Sequence, residues 1–167
     1  MKKFSFGFVA GICVVLLAGF LFFALGGMPV ATKGPPLPGE KLLARIALHA
    51  AIKDTEDVPS PVPADEANLV AGAKIYVAQC AVCHGLPGKN PTAISQGLFP
   101  KAPQLMPPHK GVTDDAVGET YWKAKNGIRM TGMPGFVDFL SETELWQVSV
   151  FLLNADKLPG TALEVLR

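Results

Sequence analysis

Three cysteines in 167 residues are too few for a disulfide scaffold, and Cys13 stands apart from the other two inside an apolar run. Net charge is also nearly missing. The 15 Lys and Arg against 14 Asp and Glu leave +1, so no overall field is available to hold a nucleic acid or a strongly charged partner. No nucleophile has an adjacent base and no phosphate loop occurs, which removes ordinary hydrolytic and transferase chemistry. The length accommodates one modest domain with extra material rather than two full-sized ones. What the chain does have is 49% hydrophobic residues, concentrated at the N-terminus, with 17 glycines and 15 prolines largely outside that block. Such a composition predicts long irregular loops that need something to pack on.

After Lys2 and Lys3, the stretch from Phe4 to Leu25 has only Ser5 and Cys13 as polar side chains and no charge. At ~1.5 Å per residue it is long enough to cross a ~30 Å hydrocarbon core. Residues 1–26 therefore read as a transmembrane anchor. With lysines before it and no basic cluster just after it, the positive-inside tendency puts the following chain on the outer, periplasmic side of a bacterial-type cytoplasmic membrane. A cleaved secretory signal has the same layout, although its apolar region normally runs only ~7 to 15 residues. Both readings place the remaining chain on the same side. Cys13 lies mid-run after Ile12 and reads as an inert apolar residue rather than a lipidation site.

Residues 27–63 read as a connection. Gly34, Pro35, Pro36, Pro38 and Gly39 make an extended stalk. Residues 40–53 then carry Leu42, Leu43, Ile46, Ala47 and Ala50 at helical spacing, with Lys41, Arg45 and His49 recurring every four residues on another side. This amphipathic helix is expected either to pack on the domain that follows or to lie at the membrane surface, with no ligand role for His49. Acids alternate with prolines from Asp54 to Glu66, as in a semi-rigid spacer. The compact domain is expected at 64–156, with 157–167 as a C-terminal tail.

Cys80-Ala81-Val82-Cys83-His84 matches C-x-x-C-H, the spacing of covalent c-type haem attachment. Two thiols three positions apart near a helix end lie on roughly one face, where each can bond one porphyrin vinyl group, and the following histidine offers a neutral imidazole to the iron. A thioredoxin-like pair would need a strand before the motif and a helix after it, yet Pro87, Gly88 and Pro91 follow. A zinc site would need further ligands, and no other cysteine lies outside the apolar block.

The flanking sequence supplies three helices. One spans Asp65 to Gln79, with Leu69, Gly72, Ala73, Tyr76 and Val77 on a shared face. A second starts at a Thr113 or Asp114 cap, stops at Asn126-Gly127 and turns Val117, Tyr121 and Ala124 inward. A third opens with the capping box Ser141-Glu142-Thr143-Glu144 and runs to about Asn154. The loop Gly127 to Phe136 carries Met130 and Met133, and a thioether is the soft ligand an electron-carrying iron needs.

Helix, C-x-x-C-H, proline-rich loop, helix, Gly-Met-Pro loop and capped helix resemble the layout of class I mono-haem c-type cytochromes over about residues 64–156. The resemblance implies an all-α fold of three main helices around one haem c bound covalently by Cys80 and Cys83. It implies His84 as proximal iron ligand and Met133, in Gly-Met-Pro, as the distal one, with Met130, Met106 and His109 as alternatives. It also implies that the Pro103 carbonyl accepts a hydrogen bond from His84, and that Gly72 and Tyr76 cross Trp146 and Val150.

The expected activity is one-electron relay between redox protein partners, membrane-bound ones included, rather than catalysis. Two alternatives stand beside it: a haem-bearing subunit of a larger membrane dehydrogenase or oxidase, and a haem sensor with an open sixth site. Lys89, Lys101, Lys110, Lys123, Lys125 and Arg129 against Asp114, Asp115 and Glu119 give a mild local basic excess that would steer an acidic partner.

Overall fold

The computed structural model describes residues 2–167, with side chains from Phe4 onward. The side chains of Lys2 and Lys3, on which the orientation across a membrane rests, lie outside the described residues. One compact unit ends at Glu40 and a second runs Lys41–Arg167. In the first, α1 (Lys2–Ala24) is a single helix, and its segment Phe4–Ala24 has a mean hydropathy of 2.6 with its side chains exposed. Its length fits a membrane-spanning segment.

All regular structure among the described residues of the second unit is helical. It begins with α2 (Glu40–Ile52), whose last residue is buried, followed by a tight turn over Lys53–Thr55. Next come α3 (Glu66–Ile75), α4 (Ala81–His84), α5 (Ala93–Gly97), α6 (Val117–Asn126), α7 (Glu142–Leu153) and α8 (Gly160–Val165). Helix α3 starts where the Asp65 side chain accepts the Asn68 N–H at 2.9 Å, satisfying an amide that the first turn leaves unpaired.

The frame is the packing of α3 against α7 and α8. A side chain at Gly72 would overlap the Gln147 carbonyl and Phe151, so only glycine lets these backbones come so close. Tyr76 and Phe151 are both fully buried, their rings 5.6 Å apart, and burying each stabilises the frame by roughly 1.5–3 kcal/mol. Gln147 donates to the Asn68 side chain at 2.9 Å across the same contact. The residues that meet Gly72 are thus Gln147 and Phe151 rather than the expected Trp146 and Val150. Trp146 instead stacks on Tyr121 of α6, with centroids 3.9 Å apart and planes 7° from parallel.

Three further expectations need correction. Helix α6 begins at Val117 behind Ala116, not at Thr113 or Asp114. The Thr113 hydroxyl is committed to the Lys110 carbonyl and Asp114 to Lys110, so this segment closes as turns, and Gly118 is held against the Thr55 and Val58 carbonyls. Val77 is exposed because the helix changes its hydrogen-bonding pattern from Tyr76 onward. Finally, residues 157–167 are more than a tail: Ala162 of α8 and Leu166 just after it are buried in the main core, and the Thr161 hydroxyl donates to Glu66 at 2.7 Å.

Candidate functional site

The motif sits at the end of a helix that has been re-phased. From Tyr76 to Cys80 the backbone makes a π turn, the Ala81 N–H bonding the Tyr76 carbonyl five residues back, before α4 resumes through His84. Single π turns of this kind recur at functional sites. Gly85 ends α4 at φ +79, a conformation that favours glycine, and a side chain there would overlap Gln104. The Tyr76 hydroxyl donates to the Gly85 carbonyl at 2.6 Å, so the packed ring of the frame also fixes the chain just after the histidine. Thr92, which caps α5, donates to the Val82 carbonyl at 2.5 Å and straps the following loop to the motif.

His84 is 9% exposed. Its Nδ1 lies 2.8 Å from the Pro103 carbonyl oxygen. A carbonyl can only accept, so Nδ1 carries the proton and the remaining lone pair is on Nε2. Burial pushes the His84 pKa down from its ordinary value against the opposing pull of the Pro103 bond, which keeps the ring neutral, the form that binds metal. Burial, and secondarily the neighbouring Cys83, push the Cys80 thiol up to about 12. A reactive dithiol needs the opposite shift, and the described residues contain no strand to precede it; both observations speak against a thioredoxin-like pair. Among the described residues no group of three or more His, Cys, Asp or Glu side chains is placed to hold a metal ion.

The methionines divide by environment. Met106 belongs to the hydrophobic core. Met130 is 82% exposed at φ 62, and His109 is exposed. Met133 is half-buried, its N–H bonded to the Thr131 hydroxyl at 3.1 Å and its carbonyl accepting from Ile128 at 3.2 Å. Its loop is sewn to α6 by the Phe136 and Val137 amides, which bond the Ala124 and Lys125 carbonyls at 3.0 and 3.2 Å. Two cysteines and a neutral histidine in one short helical turn, with Val82 and Ile94 left exposed, fit a large apolar macrocycle carrying iron.

The basic excess is smaller than the composition implied. Lys110 pairs with Asp114, and Lys123 pairs with both Asp115 and Glu119. Sequence reasoning missed the hydroxyl of Tyr76 and the Thr92 strap. Tyr76 reads locally as a packing residue, and neither carbonyl partner leaves any local signal.

A family model for cytochrome C oxidase, cbb3-type, subunit III matches residues 67–152, just over half of the chain. Cytochrome c6 of Limnospira maxima is 31% identical over 87 residues, covering 52% of this chain and 92% of that protein. The quinohemoprotein alcohol dehydrogenase ADH IIB of Pseudomonas putida is 29% identical over 170 residues, covering 90% of this chain but only 23% of its own length. No solved structure matches. The chain therefore belongs to the cbb3-type subunit III family of cytochrome c domains, electron-carrying proteins with covalently bound haem c.

Proposed function

We propose that this chain is a membrane-anchored electron carrier in which Cys80 and Cys83 hold haem c through thioethers, His84 ligates the iron through Nε2 and Met133 ligates it from the other side. The observation that carries the reading is the His84 ring: buried, neutral and committed through Nδ1 to Pro103 at 2.8 Å, it keeps one nitrogen for a metal. When bound, the haem supplies a one-electron Fe(III)/Fe(II) couple. The residues of the chain do the rest. Pro103 sets the tautomer and orientation of the imidazole, Tyr76 fixes the backbone behind it, and the hydrogen bonds around Met133 hold that loop in one conformation. Met133 is favoured over Met130 because it is half-buried and tethered, while Met130 points to solvent.

Optical spectra of the purified full-length protein, oxidised and reduced, test the ligand set. The expected result is the weak long-wavelength band of iron–thioether ligation, lost in Met133→Ala and kept in Met130→Ala. A native protein without that band, whose ferrous form binds carbon monoxide readily, would overturn Met133 ligation in favour of an open sixth site.

The anchor reading rests on α1, which is long and apolar enough to span a bilayer, and puts the haem domain on the outer side. Protease protection in intact spheroplasts checks it: cleavage of the haem domain from outside is expected, and full protection would reverse the orientation. A second reading is supported by the alignment of 90% of this chain with part of a much longer dehydrogenase: the chain then serves as the electron-transfer subunit of a membrane dehydrogenase or oxidase. Stable co-purification with a larger catalytic subunit from native membranes would favour it over a free carrier.

A further inference from the structure

Helix α2 presents an apolar face that its own domain leaves uncovered. Leu42, Leu43 and Ile46 are 61%, 67% and 56% exposed, and Ala47 and Ala50 beside them are exposed too. At ~100° per residue these five share one arc of the helix. The side that faces the domain is a different one, carrying half-buried Leu48 and buried Ile52. His49 borders the apolar arc, Arg45 lies next to it and Lys41 further round on the Leu48 and Ile52 side, with Lys53 just beyond the helix end. These four side chains thus run as a shallow spiral along one flank of the helix, between its domain-facing side and its apolar arc. That is the pattern of a helix lying in the plane of a bilayer interface, apolar residues below the headgroups and long basic side chains reaching up to them.

The chain itself argues for a bilayer over a protein groove. Fifteen residues, 25–39, join the end of α1 to α2, and at ~3.5 Å per residue they can stretch no further than about 50 Å. An anchored chain thus confines α2 near the membrane surface at a high effective concentration. We infer that α2 docks on the membrane surface, its Leu42, Leu43 and Ile46 face entering the boundary of the acyl chains and the long, exposed side chains of Lys41, Arg45 and Lys53 on its flank reaching anionic headgroups. This rests on the anchor reading of α1. Such docking would hold the following domain to the bilayer at its Lys41 end instead of leaving it on a free tether.

The test uses haem-loaded, full-length protein with Cys13→Ala, reconstituted into liposomes with and without phosphatidylglycerol. Single cysteines are introduced as Leu43→Cys, as Ala44→Cys on an exposed side away from the apolar arc, and as Lys74→Cys on α3. Their reaction rates with a membrane-impermeant maleimide are compared. In anionic liposomes the rate at position 43 is expected to fall about tenfold below that in detergent, with positions 44 and 74 unchanged. Lys41→Gln with Arg45→Gln and Lys53→Gln is expected to reverse most of that protection. Equal rates at 43 and 44 in protein that still floats with the liposomes would overturn the docking alone. Protein that fails to float would overturn the anchor reading and the docking with it. Protection that vanishes on dilution to one copy per liposome would overturn it in favour of a second copy of the chain.

Discussion

The crossing of α3 with α7 and α8 and the loops from Leu86 to Leu140 solve the problem of burial in opposite ways. The crossing hides Leu69, Ala73, Tyr76, Val148, Phe151 and Ala162 among themselves. The loops leave Ile94, Met130, Val137 and Phe139 exposed, and they are held chiefly by hydrogen bonds to carbonyls, such as Thr92 to Val82 and Phe136 to Ala124. One half supplies its own core, and the other lends it Leu105 and Met106 while leaving much of its own apolar surface uncovered. In a chain rich in Gly and Pro, a haem held among these loops as proposed above would replace the side chains that they do not bury.

Removing the attachment tests this division most severely. Cys80→Ala with Cys83→Ala is expected to abolish haem staining on a denaturing gel entirely. In the same variant, amide hydrogen exchange should rise far more across residues 86–140 than in α3 and α7, and a uniform rise would break the comparison. Gly72→Leu attacks the other half. Overlap with Gln147 and Phe151 is expected to cost about 3 kcal/mol in denaturant unfolding, and a cost below ~1 kcal/mol would mean that the crossing tolerates separation. Tyr76→Phe touches the join between the halves. It keeps the packing on Phe151 but loses the hydroxyl bond to Gly85, for an expected loss of about 1 kcal/mol. No change in the unfolding midpoint would remove Tyr76 as a link.

The smallest effect belongs to the α7 cap. The Ser141 hydroxyl, and then its N–H, hold the Glu144 carboxyl below its ordinary 4.5. The unfolded chain therefore binds the proton more readily, and the contribution of Glu144 is present above pH 4.5 and lost as pH falls through that value toward the folded pKa. Glu144→Gln should flatten the acid limb of a urea-midpoint profile there while changing the neutral midpoint only slightly. An unchanged limb would assign it to other carboxylates.

Legibility followed the range of the interactions. The α7 start was plain because its capping box is closed by residues three apart, with the Ser141 N–H donating to Glu144 at 2.8 Å and the Glu144 N–H to Ser141 at 3.3 Å. Thr113 and Asp114 looked equally good as caps, but Lys110 engages both and Gly118 is drawn to carbonyls some sixty residues earlier in the chain. Helix α8 was missed because its six residues carry little periodic signal, although Ala162 is fully buried. The attachment motif is local and legible. The bond from His84 to Pro103 spans 19 residues of chain, which no pattern of spacing encodes, and it is implied only by the family resemblance.

The π turn at Tyr76–Cys80 sets the tolerance for two kinds of sequence change. An α-helix advances about 100° per residue, and a π turn takes one extra residue into a single turn, so the sequence register shifts by one position while the helix after it keeps nearly its direction. Val77, Ala78 and Gln79 are exposed and open to substitution, and deleting any one of them would return the helix to regular pitch while keeping Cys80, Cys83 and His84 close to the direction that Gly72 and Tyr76 define. Over these few positions one residue of chain length is as free as its letters, and deletion of Ala78, with covalent haem expected to be retained, measures how closely.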